Sequence, residues 1–282
     1  MEEKGQTKIK GHKMKTMGIV LLLATIGCGL WARYISTSGL IVREYAIKNN
    51  KISNKLNGLK IIHFSDLHYG STTDQDDLKE LVKTINSYHP DIVAFTGDLI
   101  EEDVKLSDQE ITAVTEILEQ IDCSFKFAVS GNHDKKGTPY KEILKNSNFR
   151  LLNNEKEMIY YLSNEPVEII GFPSSFEYKQ NYKVLKGKNS FYKIVLIHEP
   201  DLIDKLSPYR VNLVLAGHSH NGQIRVPFIG AIYTPPKAQK YYEAYYKVNG
   251  TDLYVSSGVG TSKLKMRFFN KPSINLYRLY AE

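Results

Sequence analysis

The sequence predicts an α/β protein built on stacked β-sheets and preceded by one apolar N-terminal helix. Short apolar runs alternate with amphipathic helical patterns through the first half of the chain. Runs with strand composition follow at closer intervals in the second half, which is typical of α/β proteins with more than one sheet. The 282 residues are 42% hydrophobic and 24% charged. This globular composition excludes collagen, a long coiled coil and wholesale disorder.

The N-terminal segment has the layout of an export signal or a signal anchor. Met17 to Ala32 is apolar or small throughout, and five lysines precede it. We expect residues 1–16 to form a basic cytoplasmic tail and residues 17–36 an uncleaved transmembrane signal anchor, because positive charge stays on the cytoplasmic side. The chain would then be a single-pass cell-membrane protein with its remaining residues outside the cytoplasm.

Three other interpretations of this segment stay open. Cleavage after the small residues Ser36-Thr37-Ser38 would release a secreted protein. A lipoprotein signal could end at Gly27-Cys28, or the segment could be a core helix of a soluble domain. The sequence alone leaves these alternatives beside the anchor.

The positive charge of the chain is concentrated in its first residues. Residues 1–34 contain five lysines and one arginine against two glutamates, whereas the formal charge of the whole chain is +6. Only +2 therefore remains on the other 248 residues. Because nucleic-acid binding needs clustered phosphate-neutralising charge, no nucleic-acid partner is expected.

Residues 37–57 are expected to form a linker that becomes an edge strand, and residues 58–282 a single domain. The Ser107 and Glu110 pair is a capping box that predicts a helix start. Asn249-Gly250 predicts a hairpin turn. Strands are predicted at Val42–Ile47, Lys60–Phe64, Asp91–Thr96, Phe125–Val129, Met158–Leu162, Val167–Ile170, Lys193–Ile197, Val211–Leu215, Tyr241–Val248, Leu253–Ser256 and Asn275–Leu279, and helices at Asp76–Tyr88, Ser107–Ile121 and Tyr140–Asn146.

Five of the apolar runs end in a cluster of polar side chains. Because ligands gather at the carboxyl ends of strands in α/β sheets, these clusters can meet on one rim. Carboxylate, imidazole and amide-oxygen ligands without a thiolate fit two divalent metal ions such as Mn, Fe or Zn, and argue against a structural cysteine site. The clusters are Asp66-Leu67-His68, Gly97-Asp98, Gly131-Asn132-His133-Asp134, His198-Glu199 and Gly217-His218-Ser219-His220.

Two further observations bear on this rim. Five of the eight histidines in the chain fall in these clusters, which makes a chance arrangement less plausible. Asp66 and His68 are two residues apart, so on a strand they would point to the same side and reach one ion. Lys263, Lys265 and Arg267 favour a solvated positive face, with substrate-phosphate binding as the alternative.

The five clusters, in this order and at this spacing, resemble the complete motif series of the calcineurin-like metallophosphoesterases. The resemblance covers residues 58–282. Phe64-Ser65-Asp66-Leu67-His68 and Ser257-Gly258-Val259-Gly260-Thr261 are similar to the membrane-anchored bacterial branch of that family. The resemblance implies the metallophosphoesterase αββα fold, a two-sheet β-sandwich flanked by helices.

The resemblance also implies a role for each residue of the clusters. Asp98 would bridge two metal ions. His133 would face the substrate, oriented by Asp134, and both would be catalytic. The first metal would be held by Asp66, His68 and His220, and the second by Asn132, His198 and His218.

The expected function is that of a dinuclear metal-dependent phosphohydrolase, more specifically a phosphodiesterase. Attack of a metal-bound hydroxide would cleave a cell-envelope or phospholipid-type phosphate, with a lipid or a cell-wall polymer as the substrate. The enzyme is expected to be a monomer attached to the membrane through its N-terminal helix. A non-catalytic metal-binding scaffold with the same fold and a nuclease remain the alternatives.

Overall fold

Two mixed six-stranded sheets lie face to face in the computed structural model, which describes residues 2–162, 164–187 and 191–282. The α/β fold with two stacked sheets predicted from the sequence is confirmed. The strands are β1 (Ile41–Asn49), β2 (Lys60–Phe64), β3 (Ile92–Phe95), β4 (Phe125–Ala128), β5 (Arg150–Leu151), β6 (Glu155–Ile159), β7 (Val167–Gly171), β8 (Tyr192–Leu196), β9 (Leu213–Ala216), β10 (Arg225–Val226), β11 (Gly230–Ala231), β12 (Tyr245–Val248), β13 (Thr251–Val255) and β14 (Ser273–Ala281). The helices are α1 (Glu2–Leu30), α2 (Gln75–Ser87), α3 (Asp108–Glu119), α4 (Tyr140–Asn146) and the single turn α5 (Ile203–Leu206).

Each sheet combines a parallel centre with antiparallel pairs. The first sheet has the order β1-β14-β2-β3-β4-β5, in which β2 to β5 are parallel and β14 runs antiparallel to β2. The second has the order β12-β13-β9-β8-β7-β6, with antiparallel pairs at both edges. The short β10–β11 hairpin stands apart from both sheets. The parallel strands bring their carboxyl ends to one edge, where ligands bind in such sheets.

The alternation of side chains along each strand separates the layers. On β2, Ile62 and Phe64 belong to the core under helices α2, α3 and α4, whereas Ile61 belongs to the core between the two sheets. On the second sheet, Ile194 faces the other sheet and Val195 faces the outer layer around α5. The order of layers is therefore helix, sheet, sheet, helix.

Side-chain caps set the starts of two helices. Ser107 accepts from the Glu110 amide, and Glu110 accepts from the Ser107 amide, so the predicted capping box is confirmed. Helix α2 begins one residue earlier than predicted, because Asp74 caps it by accepting from the amides of Asp76 and Asp77.

The aromatic segment before β13 departs from its prediction. The strand expected over Tyr241–Val248 begins only at Tyr245. The amides of Tyr242 and Glu243 bond the hydroxyl of Tyr246 rather than a neighbouring strand, so the chain turns there. The hairpin turn is confirmed, because Asn249 and Gly250 both have positive φ, at 49° and 86°, as a type I′ turn requires.

The predicted apolar segment is a helix. Helix α1 continues through a π-helical turn, Trp31–Ile35. Lys13–Ile35 forms a 23-residue stretch that contains an 18-residue window of mean hydropathy 1.7, of which 6% is buried. Length and composition are those of a membrane span, of a signal sequence or of a core helix, and the low burial disfavours the last. The expected basic tail lies at the start of α1, where Met1 and the side chains of residues 2–12 are outside the described part.

His63 is a structural histidine in the centre of the first sheet. Its Nε2 lies 2.8 Å from the Thr96 hydroxyl and its Nδ1 lies 3.4 Å from the Tyr277 hydroxyl. Complete burial lowers the pKa of His63 to about 3, because the charged imidazolium would lose its hydration. The folded protein therefore keeps His63 neutral where an unfolded chain would protonate it.

The free energy of unfolding is expected to fall when the pH is lowered below about 6.5, by up to about 1.4 kcal/mol per pH unit from His63 alone. The sign follows from proton binding: below pH 6.5 the unfolded state takes up a proton that the folded state takes up only near pH 3. Urea unfolding of the full chain in detergent with a chelator, between pH 7 and pH 5, measures the slope. His63→Asn, which does not titrate, should unfold with a shallower pH dependence, and identical slopes would contradict the assignment.

Candidate metal centre

Five strands from both sheets end at one edge, and all seven predicted metal ligands follow those strand ends. Six of the seven are buried and Asn132 is half-buried. Asp66 and His68 follow β2, Asp98 follows β3, Asn132 follows β4, His198 follows β8, and His218 and His220 follow β9. The fold thus brings together residues that are up to 154 positions apart in the chain.

Six of these ligands, all but Asn132, form three overlapping groups together with His133, and within each group the ligand atoms lie within 4.8 Å of one another. One group belongs to the proposed first metal, one to the proposed second metal, and one joins them through Asp98 and His133. The groups are Asp66-His68-His220, Asp98-His198-His218 and His68-Asp98-His133.

The first group has the separations that a shared ion requires. The Nε2 atoms of His68 and His220 are 3.1 Å apart, and Asp66 Oδ1 lies 3.6 Å from His220 Nε2. Two nitrogens bound to one ion at about 2.1 Å and at right angles would lie about 3 Å apart. Among the described atoms His220 Nδ1 has no hydrogen-bond partner, so the ring proton can lie on Nδ1 and leave the Nε2 lone pair for a metal.

In the second group, backbone carbonyls select the tautomers of both histidines. His198 Nδ1 lies 2.7 Å from the Thr96 carbonyl oxygen and donates to it, which leaves the Nε2 lone pair free. That Nε2 lies 3.0 Å from Asn132 Oδ1 and 3.2 Å from Asp98 Oδ2. His218 Nε2 donates to the Pro236 carbonyl at 2.9 Å, so its Nδ1 is the atom available to a metal. Carbonyl acceptors behind ligating imidazoles are typical of metal sites.

Asp98 lies between the two groups. Its Oδ2 is 3.2 Å from His198 Nε2 and 3.7 Å from His68 Nε2. Its Oδ1 accepts from the His133 amide at 2.8 Å, which fixes the carboxylate plane. A carboxylate held between two sets of donors is suited to bridge two cations, so the residues present fit a dinuclear centre.

The electrostatics of the centre favour a bound cation. Burial would raise the pKa of the Asp98 carboxyl, but the imidazoles of His198, His133 and His68 hold it well below its ordinary value. Burial lowers the pKa values of His218 and His220, and their cationic neighbours lower them further. Metal binding needs an ionised carboxylate and neutral imidazoles. His198 departs from this state: burial would lower its pKa, but Asp98 raises it to about 10, so a cation must displace the proton from His198 Nε2.

The backbone at the ligands is strained rather than extended. Five predicted ligands have positive φ, between 45° and 68°, a region that side-chain-bearing residues rarely adopt: Asp66, His68, Asp98, His218 and His220. The argument that Asp66 and His68 share one side of a strand is therefore wrong, because β2 ends at Phe64 and both residues lie in the loop beyond it. The left-handed backbone conformation of Asp66 and His68, and not the alternation of side chains along a strand, directs both side chains toward the metal centre.

Two glycines let the Asp98 loop and the Asn132 loop approach each other. Gly97 has φ of 95°, and a Cβ there would lie 2.3 Å from the Gly131 nitrogen. A Cβ on Gly131 would lie 2.1 Å from Asp98 Oδ1. Both distances are shorter than any non-bonded contact, so only glycine fits at this crossing.

Gly131→Ala is expected to lower metal content and to reduce activity by about 10- to 100-fold, as is typical when the support of a metal ligand is displaced. The added methyl group must push the Asp98 carboxylate away from its position between the histidines. Elemental analysis of the purified chain and hydrolysis of a soluble phosphodiester measure the two effects. Gly187→Ala is the matched control, because its Cβ would meet only the ends of the Lys156 and Glu168 side chains, at 3.2 and 3.7 Å. Full metal occupancy in Gly131→Ala would contradict this interpretation.

A carboxylate that the sequence analysis missed, Glu101, contacts two histidines of the centre. Its Oε1 lies 3.0 Å from His133 Nδ1 and its Oε2 lies 3.3 Å from His68 Nδ1. Burial alone would lower the pKa of His133, but Glu101 and Asp98 raise it to about 8. Glu101 therefore contacts the His133 ring where Asp134 was expected to contact it, and can orient that ring. Only its place three residues after Asp98 could have drawn attention to it.

The expectation that Asp134 orients His133 therefore needs correction. The Asp134 carboxylate accepts from the backbone amides of Asp98, Leu99 and Gly131, at 2.8 to 3.0 Å. It holds the loops of the centre together, and we now expect it to act as a positioning residue. Three of the roughly four lone-pair sites of this carboxylate accept from amides, and none of its hydrogen bonds among the described residues involves the His133 ring.

Arg267 also differs from its sequence-based interpretation. The side chain is fully buried and donates to the carbonyl oxygens of Gly258 and Gly260, so it belongs neither to a solvated face nor to a substrate site. Lys263 and Lys265, in contrast, are exposed. Arg267 supports the loop against which His220 packs, since a Cβ on Gly258 would lie 2.9 Å from His220 Nδ1.

Comparison with known proteins agrees with this centre. The family model described as calcineurin-like phosphoesterase matches residues 59–222, which contain all seven predicted ligands. The chain belongs to this family. Its members are metal-dependent phosphoesterases, and this phosphoesterase retains the histidine and aspartate groups that bind the metals.

Among the relatives that match most of the chain are three with informative names. The uncharacterized metallophosphoesterase YkuE of Bacillus subtilis is 34% identical, over 88% of this chain and 88% of its own length. Phosphodiesterase YaeI of Escherichia coli is 26% identical, with 78% and 82% covered. The UDP-2,3-diacylglucosamine pyrophosphatase LpxG of Chlamydia muridarum is 25% identical, with 93% and 96% covered. The bacterial branch that the sequence motifs resemble is the one related to YkuE and YaeI, and the two matches confirm this resemblance.

Proposed function

We propose that this phosphoesterase is a membrane-anchored phosphodiesterase that cleaves a lipid-type phosphate of the cell envelope. The observation that carries the proposal is the composition of the pocket over the metal centre. Its floor is polar and holds the metal ligands, whereas its walls are largely apolar. A pocket of this kind fits a substrate that joins a phosphate to an apolar group.

The pocket has a volume of about 400 Å³, which is within the range of ligand sites in proteins. His68, Asp98, Asn132 and His133 line its floor. The apolar wall consists of Phe176, Ile224, Ile232, Tyr233, Pro235, Pro236 and Leu264. This wall could take up an acyl or prenyl chain while the phosphate rests on the metals.

Each residue of the centre has a distinct part in the proposed reaction. One cation would be held by Asp66, His68 and His220. The other would be held by Asn132, His198 and His218. Asp98 would bind both cations. Two divalent cations supply activation of the attacking water and neutralisation of the phosphate charge. His133, protonated at neutral pH, would give a proton to the leaving oxygen. Glu101 would keep the His133 ring turned toward the substrate. Oxygen and imidazole ligands suit Mn, Fe or Zn.

Helix α1 supports the proposed anchor. The 23 residues from Lys13 to Ile35 span about 34 Å as a helix, enough to cross a hydrocarbon core of about 30 Å. Lysines precede the apolar stretch, which would keep the N-terminus in the cytoplasm and put the metal centre outside. The names of two relatives support the substrate class, since YaeI is called a phosphodiesterase and LpxG a pyrophosphatase of a diacylated sugar nucleotide.

The test is a series of alkyl p-nitrophenyl phosphodiesters that share one leaving group and differ in alkyl length. The full chain in detergent is stripped of metal and reloaded with Mn²⁺, Zn²⁺ or Fe²⁺. We expect kcat/KM to rise by up to about fourfold for each methylene that enters the apolar wall, because each one buried contributes about 0.8 kcal/mol. Rates that do not depend on alkyl length, or a preference for p-nitrophenyl phosphate over all the diesters, would contradict the proposal.

A further inference from the structure

The β10–β11 hairpin carries an unusual set of exposed apolar side chains. Phe228 at its tip is fully exposed and Ile229 beside it is 73% exposed. Phe228 also has φ of 68°, which is strained for an aromatic residue. Leu264 and Phe269 on the neighbouring loop are about 60% exposed as well. We call Phe228, Ile229, Leu264 and Phe269 the apolar rim. Exposed apolar groups of this size are typical of a contact surface.

Backbone hydrogen bonds connect the apolar rim to the end of the N-terminal helix. The Arg267 amide donates to the Ala32 carbonyl at 3.0 Å. The Arg225 amide donates to the Phe268 carbonyl at 2.9 Å, which ties the base of the hairpin to the same loop. The Trp31 ring packs against Phe268 and Phe269, at 5.3 and 5.8 Å between centroids. The rim therefore adjoins the point where the apolar helix ends.

The base of the hairpin is also joined to the metal centre. Arg225 Nη2 donates to both carboxylate oxygens of Glu243, at 2.8 Å each, and Arg225 Nη1 donates to the Asn221 carbonyl at 2.8 Å. Asn221 directly follows the predicted ligand His220. The hairpin and the ligand loop are thus one connected unit, and Leu264 contributes both to the rim and to the pocket wall.

Taking the membrane anchor of the proposed function as given, we propose that the apolar rim dips into the lipid leaflet from which helix α1 emerges. The metal pocket then opens onto the bilayer surface, and a lipid-type substrate enters from the side without crossing water. The rim would lie at the depth at which interfacial side chains are buried, about 5–10 Å into the headgroup region.

Position and charge favour a lipid surface over a protein partner. Trp31 and Tyr34 end the apolar helix, and such aromatic residues lie at the membrane–water boundary. Lys263 and Lys265 are exposed on both sides of Leu264. This pattern of one apolar residue between two cations suits a surface with an apolar interior and anionic headgroups. A bilayer that holds α1 up to Trp31 would end beside Phe269, the residue of the rim that contacts Trp31.

The experiment uses tryptophan fluorescence of the full chain in vesicles of phosphatidylcholine and phosphatidylglycerol. Trp31 is the only tryptophan, so Trp31→Phe provides a silent background in which Phe228→Trp reports on the rim. We expect a blue-shifted emission and about twofold quenching by lipids brominated on their acyl chains. Tyr160→Trp is the matched control. Its site is also exposed, at 62%, but lies beside Tyr161, which bonds Asp91 at the opposite end of the first sheet. We expect it to remain unquenched.

Two results would overturn the inference. Equal emission and quenching of the Phe228 and Tyr160 reporters would show that the rim stays in water. A blue shift of the Phe228 reporter without bromine quenching would assign the rim to a second copy of the chain. Neither readout requires hydrolysis, so a failure of the proposed enzymatic function would appear separately, as an inactive wild-type chain whose rim is still quenched.

Discussion

Replacing Asp98 by asparagine is expected to reduce phosphodiester hydrolysis by about 10³-fold or more, because several kcal/mol of transition-state stabilisation depend on the metals that this carboxylate joins. Asp98 Oδ2 faces donors of both metal groups, so removal of its charge weakens both sites together. The substitution keeps an oxygen that can accept from the His133 amide, which favours an intact fold. Elemental analysis should show the loss of at least one metal ion per chain, and initial rates with a soluble diester measure the loss of activity.

Asp103→Ala provides the control for this experiment. Asp103 is an exposed carboxylate on the same loop and contacts none of the predicted ligands among the described residues. Its replacement should leave metal content and rate unchanged. If Asp98→Asn kept both metals and a rate within about threefold of the wild-type value, the bridging role would be wrong.

Replacing His133 by asparagine is expected to lower kcat by about 10²- to 10⁴-fold while the metal content stays the same. The residue lies at the floor of the pocket, and Glu101 and Asp98 raise its pKa to about 8 against the effect of burial, toward the protonated form that a proton donor needs. Loss of a proton donor matters most when the leaving oxygen is strongly basic. The loss should therefore be greater for alkyl leaving groups than for p-nitrophenolate.

The pH dependence separates a proton donor from a residue that only positions the substrate. In the proposed reaction only protonated His133 can donate, so the wild-type kcat should fall as the pH rises through the pKa of this residue. Bound cations lower that pKa, so the fall is expected at or below pH 8. The alkaline limb should be absent in His133→Asn. Equal losses for good and poor leaving groups, with the alkaline limb retained, would assign His133 a positioning role only.

The local patterns of the sequence predicted most of the secondary structure and the fold. Strands β2, β3, β4, β8 and β13 lie within one or two residues of their predicted bounds, because short apolar runs bounded by turn residues depend little on the rest of the fold. The prediction of a strand beginning at Tyr241 was wrong, because contacts with a residue further along the chain decided the structure there. The aromatic residues of this segment suit a strand, but the Tyr246 hydroxyl captured the amides of Tyr242 and Glu243.

The sequence predicted which residues form most of the candidate site, but not how their side chains are arranged. The motifs name seven ligands and His133, and the structure places all of them around one point. Glu101 was missed because nothing in its local sequence marks it, and its importance comes from contacts with His68 and His133 made through folding. Asp134 was given the wrong partner for the same reason, since its neighbour in sequence is not its neighbour in hydrogen bonding.

The sequence by itself determined the alternation of strands and helices, the apolar N-terminal helix and the kinds of ligand at each strand end. These properties follow from residue type and periodicity over short distances. Only the tertiary structure decided which nitrogen of each histidine faces the centre, that Glu101 and not Asp134 turns His133, and that an exposed apolar hairpin adjoins the end of helix α1. Such relations depend on contacts between segments far apart in the chain, and no local pattern encodes their distances.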